Sequence, residues 1–281
     1  MGFEISELLK GMRSLPVAPQ VVPRLQAMLS DLDTDDNELA AAIRLDSGLA
    51  ARVLKSSNSA YYARRTEVAS IEEAVQTLGY QETFRIVAQS SFGPFLNRAL
   101  EIYHLEPGVL WDVSLIAGSA LEQLCRSSTT DPKTGYVVGL LHAVGKVPLN
   151  DFVVQMDFRP MPDLSNPENS VRLEIALLGH NFGEVGAALL QSWAFPEIMT
   201  AVIGHQCTPG LAGDHADLAR RLRLATSWVG ELLARSNGED PASEADQDQA
   251  ALDELGVTAE QACEVKEASY EVWQTARESV G

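Results

Sequence analysis

Apolar residues recur at spacings of three and four along most of the chain, the spacing that places them on one side of an α-helix. The stripe begins at 19–32, PQVVPRLQAMLSDL, and is longest over 215–235. Only FVVQM at 152–156 resembles a strand, and a helical interpretation serves as well. The chain is therefore predicted to be all-α. The other predicted helices cover 35–45, 47–57, 71–78, 109–127, 135–145, 170–179, 183–193 and 196–205.

Residues at the ends of these segments support the assignment. Asp46 has the chemistry to cap the helix that follows it, and SIEE at 70–73 is a capping box. Gly79 is expected to end the helix that the box begins. Residues 236–250, SNGEDPASEADQDQA, look like a mobile polar loop, and Thr258 is expected to cap a last helix.

Composition and charge exclude several classes of function. The chain has 281 residues, 46% of them hydrophobic, so it can bury a sizeable core. Its formal charge is −18, of which −10 lies in 238–281, so direct binding of nucleic acid is not expected. Three separated cysteines without a CxxC pair indicate a reducing compartment. No apolar run of 18 residues is apparent in the sequence, so we predict a soluble cytoplasmic protein without membrane association.

Several longer blocks resemble a known family. LPVAPQVVPRL, LDSGLAARVLKSSNSAYY and ASIEEAVQTLG are similar to the N-terminal half of HDOD domains, which are bacterial relatives of the HD phosphohydrolases. LWDVSLIAGSALEQL, GLLHAVGKVPL, LGHNFGEVGAALLQSWAFP and IGHQ follow the rest of the pattern in order, so the resemblance runs over about 15–235. It implies an all-α fold of two packed helical lobes. The expected division is 1–105 for the N-terminal lobe, 106–235 for the HD-like lobe, and 236–281 for an acidic loop and C-terminal helix.

The resemblance also implies positions for a metal site, and most of them have changed. HD hydrolases hold divalent metals with a histidine, a His-Asp pair and a later aspartate. Here Val113 stands where the first histidine is expected, two residues after Trp111, and the pair reads His142-Ala143. Thr226 aligns with the late aspartate. Hard ions such as Mg²⁺ or Mn²⁺ require carboxylate oxygens, so a site for them is not supported.

Three histidines remain at positions that match the two-metal relatives: His142, His180 and His205. The second histidine expected after His205 is Gln206. If the three converge, they could hold zinc or iron without a carboxylate, as three-histidine sites do. The alternative is that His142 bonds a helix carbonyl, while His180 and His205, each after a glycine, interact with helix ends. We expect no cofactor.

Two further signatures have both a functional and a structural interpretation. Lys146, in HAVGK, is either a relic of phosphate contact or a solvated charge at a helix end. Asn58-Ser59 could line a binding groove, but the favoured interpretation is that the two residues fix the exit from the preceding helix by local hydrogen bonds.

The leading hypothesis is a signal-transduction module that does not catalyse a reaction and acts by binding an unidentified protein partner. One alternative is a metal-dependent phosphohydrolase that uses the remaining histidines. Another is a sensor of an acidic or nucleotide ligand. The acidic helix after residue 250 could dock a partner or pack on its own domain. A basic patch for the acidic ligand could come from five arginines: Arg13, Arg44, Arg64, Arg65 and Arg85.

Overall fold

The computed structural model is all-α over the residues that it describes: 2–10, 36–44, 46–59, 62, 68–158, 161–236 and 245–280. Within these ranges there is no strand, only one backbone pairing between Leu100 and Leu105. The helix expected over 19–32 lies outside the described residues. The helices are α1 (Ile5–Lys10), α2 (Asp36–Arg44), α3 (Ser47–Ser57), α4 (Ile71–Leu96), α5 (Val109–Cys125), α6 (Pro132–Leu141), α7 (Lys146–Gln155), α8 (Pro167–Leu178), α9 (Phe182–Ser192), α10 (Glu197–Gly204), α11 (Ala216–Ser236), α12 (Ala245–Leu255) and α13 (Ala259–Val280).

The chain forms two compact units. The larger contains 1–15 and 96–274, and the smaller contains 16–95 and 275–281. The expected division placed 1–105 together, whereas the first 15 residues belong with the larger unit. Of the C-terminal region, residues 245–274 also belong to the larger unit, whereas 275–280 belong to the smaller one.

Local capping chemistry forms the helices of the smaller unit as predicted. The Asp46 carboxylate accepts hydrogen bonds from the Gly48 and Leu49 amides at the start of α3. The Ser70 hydroxyl accepts one from the Glu73 amide, 3.2 Å away, at the start of α4. Gly79 has φ +76°, a left-handed conformation that favours glycine, and it interrupts α4 where a helix end was predicted. The helix resumes directly afterwards, which the sequence did not indicate.

The larger unit is built around α5, which is almost entirely buried. It packs closely against α6 and α11. Residues 152–155 of the FVVQM segment lie in α7 rather than in a strand. Among the described residues, Pro132–Gln155 is apolar and long enough to cross a membrane, contrary to the sequence-based expectation. Because 89% of its apolar window is buried inside the protein, this stretch belongs to the core.

The C-terminal helices pack on their own unit, which is the second of the two alternatives for the acidic region. Residues 245–250, expected as loop, start α12, and 237–244 lie outside the described residues. Thr258 caps α13 as predicted, accepting a hydrogen bond from the Gln261 amide at 3.1 Å. Three ion pairs join α12 and α13 to α11: Arg220–Glu254 at 2.7 Å, Lys266–Glu231 at 2.5 Å and Arg235–Glu267 at 2.6 Å.

Candidate functional site

His142 lies in the turn between α6 and α7 and is buried. Its Nδ1 atom is 2.7 Å from the Gly139 carbonyl oxygen, so Nδ1 carries the proton and donates it. The pKa of His142 is lowered to about 4, mainly by burial; the bond to Gly139 opposes this shift, and the charge of Lys146 adds to it. The imidazole is therefore neutral near pH 7, and the expected bond to a helix carbonyl is present.

The expected metal-ligand positions hold residues that serve the protein's own packing. Ala143 is 2% exposed in the core, and the Thr226 hydroxyl donates to the Arg223 carbonyl of its own helix at 2.9 Å. The Gln206 amide nitrogen donates to the carbonyl oxygens of His142 at 2.8 Å and of Ile203 at 2.9 Å. Gln206 therefore joins the end of α10 to the end of α6, in the place where a second histidine was expected.

The other two histidines lie at helix ends. His180 is in the turn between α8 and α9, with Nδ1 3.1 Å from a carboxylate oxygen of Glu184. His205 is half-buried at the C-terminal end of α10, as its position after a glycine suggested. Across the described part of the chain, no group of three or more histidine, cysteine, aspartate or glutamate residues could hold a metal ion. The three histidines do not form such a group, and the residues present do not fit the metal centre of an HD hydrolase.

Lys146 is half-buried, and its side chain lies against two aromatic rings, which neither of its two interpretations included. Its ammonium nitrogen lies 4.8 Å from the ring centroid of Tyr103 and 5.0 Å from that of Phe182. Both distances are those of cation–π contacts. Burial lowers the pKa of Lys146, although Glu174 and Cys207 raise it.

Glu174 is the fully buried carboxylate of this cluster, and sequence reasoning missed it. It accepts hydrogen bonds from the Tyr103 hydroxyl at 2.9 Å and from the Phe182 amide at 2.8 Å. Burial raises the pKa of Glu174, while those bonds and Lys146 lower it. We call Tyr103, Lys146, Glu174 and Phe182 the lysine cage. A single acidic residue inside the apolar run LEIALL was the available signal for it.

Asn58 holds backbone groups together, as the structural interpretation expected. Its side-chain nitrogen donates to the carbonyls of Leu54 and Val68, at 3.0 and 2.9 Å, and its oxygen accepts from the Val68 amide at 2.8 Å. The Ser59 amide donates to the Ser56 carbonyl at 3.1 Å. These bonds tie the exit of α3 to the segment before α4.

Asn58→Ala should lower the free energy of unfolding by about 1–2 kcal/mol, because three hydrogen bonds are lost at a partly exposed position. Urea denaturation of the variant measures this. Ser59→Ala is the matched control, with a change within ~0.5 kcal/mol, since its bond to Ser56 uses the backbone. Equal losses of unfolding free energy in the two variants would contradict a stabilising role for the Asn58 side chain.

Two arginines of the proposed basic patch lie in the described residues, and both are paired with glutamates, which weakens the case for the patch. Arg44 forms an ion pair with Glu72, and Arg85 is 3.0 Å from a carboxylate oxygen of Glu82. Arg13, Arg64 and Arg65 lie outside the described residues.

The pKa of His142 predicts loss of stability in acid. The pKa of this histidine falls from 6.5 in the unfolded chain to about 4 in the folded one. Its contribution to the free energy of unfolding is therefore fully present above pH 6.5 and is lost as the pH falls through 4. Between pH 7 and 4.5 we expect this group to lower the free energy of unfolding by about 2 kcal/mol. His142→Gln should show a correspondingly shallower pH dependence of the free energy of unfolding, measured by urea denaturation. An unchanged pH dependence in His142→Gln would contradict the assignment.

Known structures share this architecture. A candidate signal transduction protein from Marinobacter aquaeolei has a TM-score of 0.73 and 21% identity over 99% of this chain and 62% of its own. The chain therefore spans less than two thirds of that protein. An HDOD domain protein of unknown function from Geobacter sulfurreducens has a TM-score of 0.72 and 22% identity, over 95% of this chain and 96% of its own. A candidate phosphohydrolase from Shewanella amazonensis has a TM-score of 0.69 and 22% identity, over 96% of this chain and 97% of its own.

These neighbours show an all-helical fold like that of this chain. The HDOD family model matches residues 15–209, which is more than half of the chain. The protein belongs to the HDOD family. No curated protein matches the chain.

Proposed function

We propose that this protein is a regulatory module of the bacterial cytoplasm that works by binding and not by phosphate-ester hydrolysis. The observation that carries the proposal is the use made of the old ligand positions. Gln206 stands in place of a histidine, and its amide nitrogen donates hydrogen bonds to two backbone carbonyls. Ala143 is packed in the core. Water activation between two metals needs ligands that neither residue supplies.

The proposed output is association with a signalling protein, with a small ligand as the second possibility. An HDOD fold without a metal centre still presents helical surfaces that a partner can bind. The names of the Marinobacter and Geobacter proteins, signal transduction and HDOD domain, agree with a role in signalling. Hydrolysis by an atypical metal site is the competing function, favoured by the phosphohydrolase name of the Shewanella protein.

Turnover of a phosphate ester separates the two functions. Purified protein is incubated with bis(p-nitrophenyl) phosphate, p-nitrophenyl phosphate and cyclic dinucleotides, each with added Mn²⁺, Fe²⁺ or Zn²⁺. The proposal expects release of product no faster for the wild type than for His142→Ala. Metal-dependent turnover that His142→Ala abolishes and Asn58→Ala retains would establish the enzyme instead.

A further inference from the structure

Helix α8 is anchored to the larger unit by one of its sides. Ser170, Glu174 and Leu178, which follow one another at intervals of four residues, are all buried. The Glu174 carboxylate accepts hydrogen bonds from the Tyr103 hydroxyl and the Phe182 amide. These contacts hold one side of α8, and its opposite side is left on the surface.

The opposite side of α8 is apolar. Leu173, Ile175 and Leu177 are 38%, 47% and 37% exposed, and the exposed Ala176 lies among them. We call these four residues the apolar face of α8. A single exposed leucine, such as Leu211 at 70%, is ordinary on a protein surface. A helix with apolar residues on all of its sides is usually covered, which indicates that another surface packs on α8.

The apolar face lies in a stretch without exposed carboxylates. Within 169–178 the one acidic residue, Glu174, is buried, and Arg172 is the one exposed charge. The chain as a whole has a formal charge of −18, so two copies repel each other where their carboxylates meet. The apolar face is a surface that a second copy can approach without this repulsion.

We propose that two copies of this chain associate through the apolar faces of their α8 helices, packed antiparallel about a two-fold axis. In an isologous contact of this kind the same surface serves both copies. Successive residues of a helix lie about 100° apart, which places Ala176 at the middle of the exposed arc formed by 172–177. Its small side chain allows the closest approach of the two helices, so the axis passes beside Ala176.

An axis beside Ala176 brings complementary charges together. Arg172 and His180 are each four positions from Ala176, so Arg172 of one copy lies level with His180 of the other. The Nδ1 atom of His180 is 3.1 Å from a carboxylate oxygen of Glu184, whose side chain is 43% exposed. We therefore expect the Arg172 guanidinium to pair with the Glu184 carboxylate of the second copy, once on each side of the axis.

The size of the contact predicts a weak dimer. The 12 residues of α8 extend over about 18 Å. A helix pair of this length buries less than the roughly 1,600 Å² of a standard stable interface, and interfaces below about 1,200 Å² are typical of transient complexes. We expect a dissociation constant of about 100 µM.

Sedimentation velocity is measured on the full chain at about 5–500 µM, a range that spans the expected dissociation constant. We expect the sedimentation coefficient to rise with concentration from that of a monomer toward that of a dimer. Leu173→Ser combined with Leu177→Ser should weaken association at least about tenfold, because four apolar side chains leave each dimer. Leu211→Ser is the matched control and should associate like the wild type. All replaced side chains are exposed, and circular dichroism checks that the variants fold.

Two results of this experiment would overturn the proposal. One is a wild-type protein that stays monomeric over the whole range, which would leave the apolar face to a different protein. The other is a loss of association in Leu211→Ser as large as the loss in the variant of Leu173 and Leu177. Association is measured without metal, turnover or another protein, so its failure would leave the proposed regulatory function standing.

Disulfide cross-linking tests the antiparallel arrangement, in a Cys263→Ser background that removes the exposed cysteine. A residue beside a two-fold axis faces its own counterpart, so Ala176→Cys should give a linked dimer under mild oxidation. Asn169→Cys lies on the same helix but about 10 Å farther along it, beyond the reach of a disulfide to its counterpart. Equal yields of linked dimer from the two variants would overturn the arrangement.

Discussion

Gly145→Ala should destabilise the protein by about 3 kcal/mol or more, because a methyl group there meets backbone atoms that have no room to move. A Cβ on Gly145 would lie 2.5 Å from the Gly186 amide nitrogen and would also collide with the Phe182 carbonyl oxygen. Both belong to the first turns of α9. The backbone at Gly145 has an ordinary helical conformation, with φ −71° and ψ −15°, so the cost is steric.

Gly230→Ala is the matched control. Gly230 lies inside α11, and a Cβ there meets no atom within 4 Å. Alanine is the better helix former, so we expect a gain of up to about 1 kcal/mol. Urea denaturation of both variants measures the contrast. Equal stabilities would contradict the close approach of the His142–Gly145 turn to α9.

Trp273→Ala should cost about 3–5 kcal/mol, which is the usual loss for a buried tryptophan. Trp273 of α13 is fully buried, and its indole nitrogen donates to a carboxylate oxygen of Asp112 in α5 at 2.8 Å. The ring also makes an edge contact with Tyr270. Since residues beyond 209 lie outside the family match, the result measures how far the C-terminal helices complete the larger unit.

Trp273→Phe separates the hydrogen bond from the packing. It keeps most of the apolar volume and leaves the Asp112 carboxylate without this donor, so we expect a loss of about 1–3 kcal/mol. Combining it with Asp112→Asn in a double-mutant cycle, followed by thermal and urea denaturation, should give a coupling above ~0.5 kcal/mol. A loss below 1 kcal/mol in Trp273→Ala would show that α13 does not support the unit.

The sequence predicted what depends on neighbours along the chain. The caps at Asp46, Ser70 and Thr258 each bond amides two or three residues away, so their chemistry is readable from a short window. The prediction for 245–250 was wrong, because the polar and acidic composition of this segment suggested a loop. That segment begins α12, and Glu254 of α12 forms an ion pair with Arg220 of α11. The helix also packs against α11 and buries Leu252, and composition alone does not reveal these contacts.

The candidate site was only partly predictable for the same reason. His142, Ala143 and Gln206 could be named from a resemblance, but the bond from Gln206 to the His142 carbonyl spans 64 positions. The lysine cage depends on Tyr103 and Glu174, which are 71 positions apart and meet only in the fold. From the sequence, Lys146 could therefore be interpreted only as a relic of phosphate contact or as a solvated helix-end charge. Its aromatic neighbours became visible only through packing.

A regulatory function without hydrolysis requires that the old ligand positions hold no working metal centre, and elemental analysis tests this requirement. Untagged protein is produced in cells supplemented with manganese, iron and zinc, and the metal per chain is measured for the wild type and His142→Ala. We expect the same substoichiometric background of metal in both proteins, with the fold intact by circular dichroism. One or two metal ions per chain in the wild type, lost in His142→Ala, would contradict it and would make this protein a metal-dependent phosphohydrolase candidate.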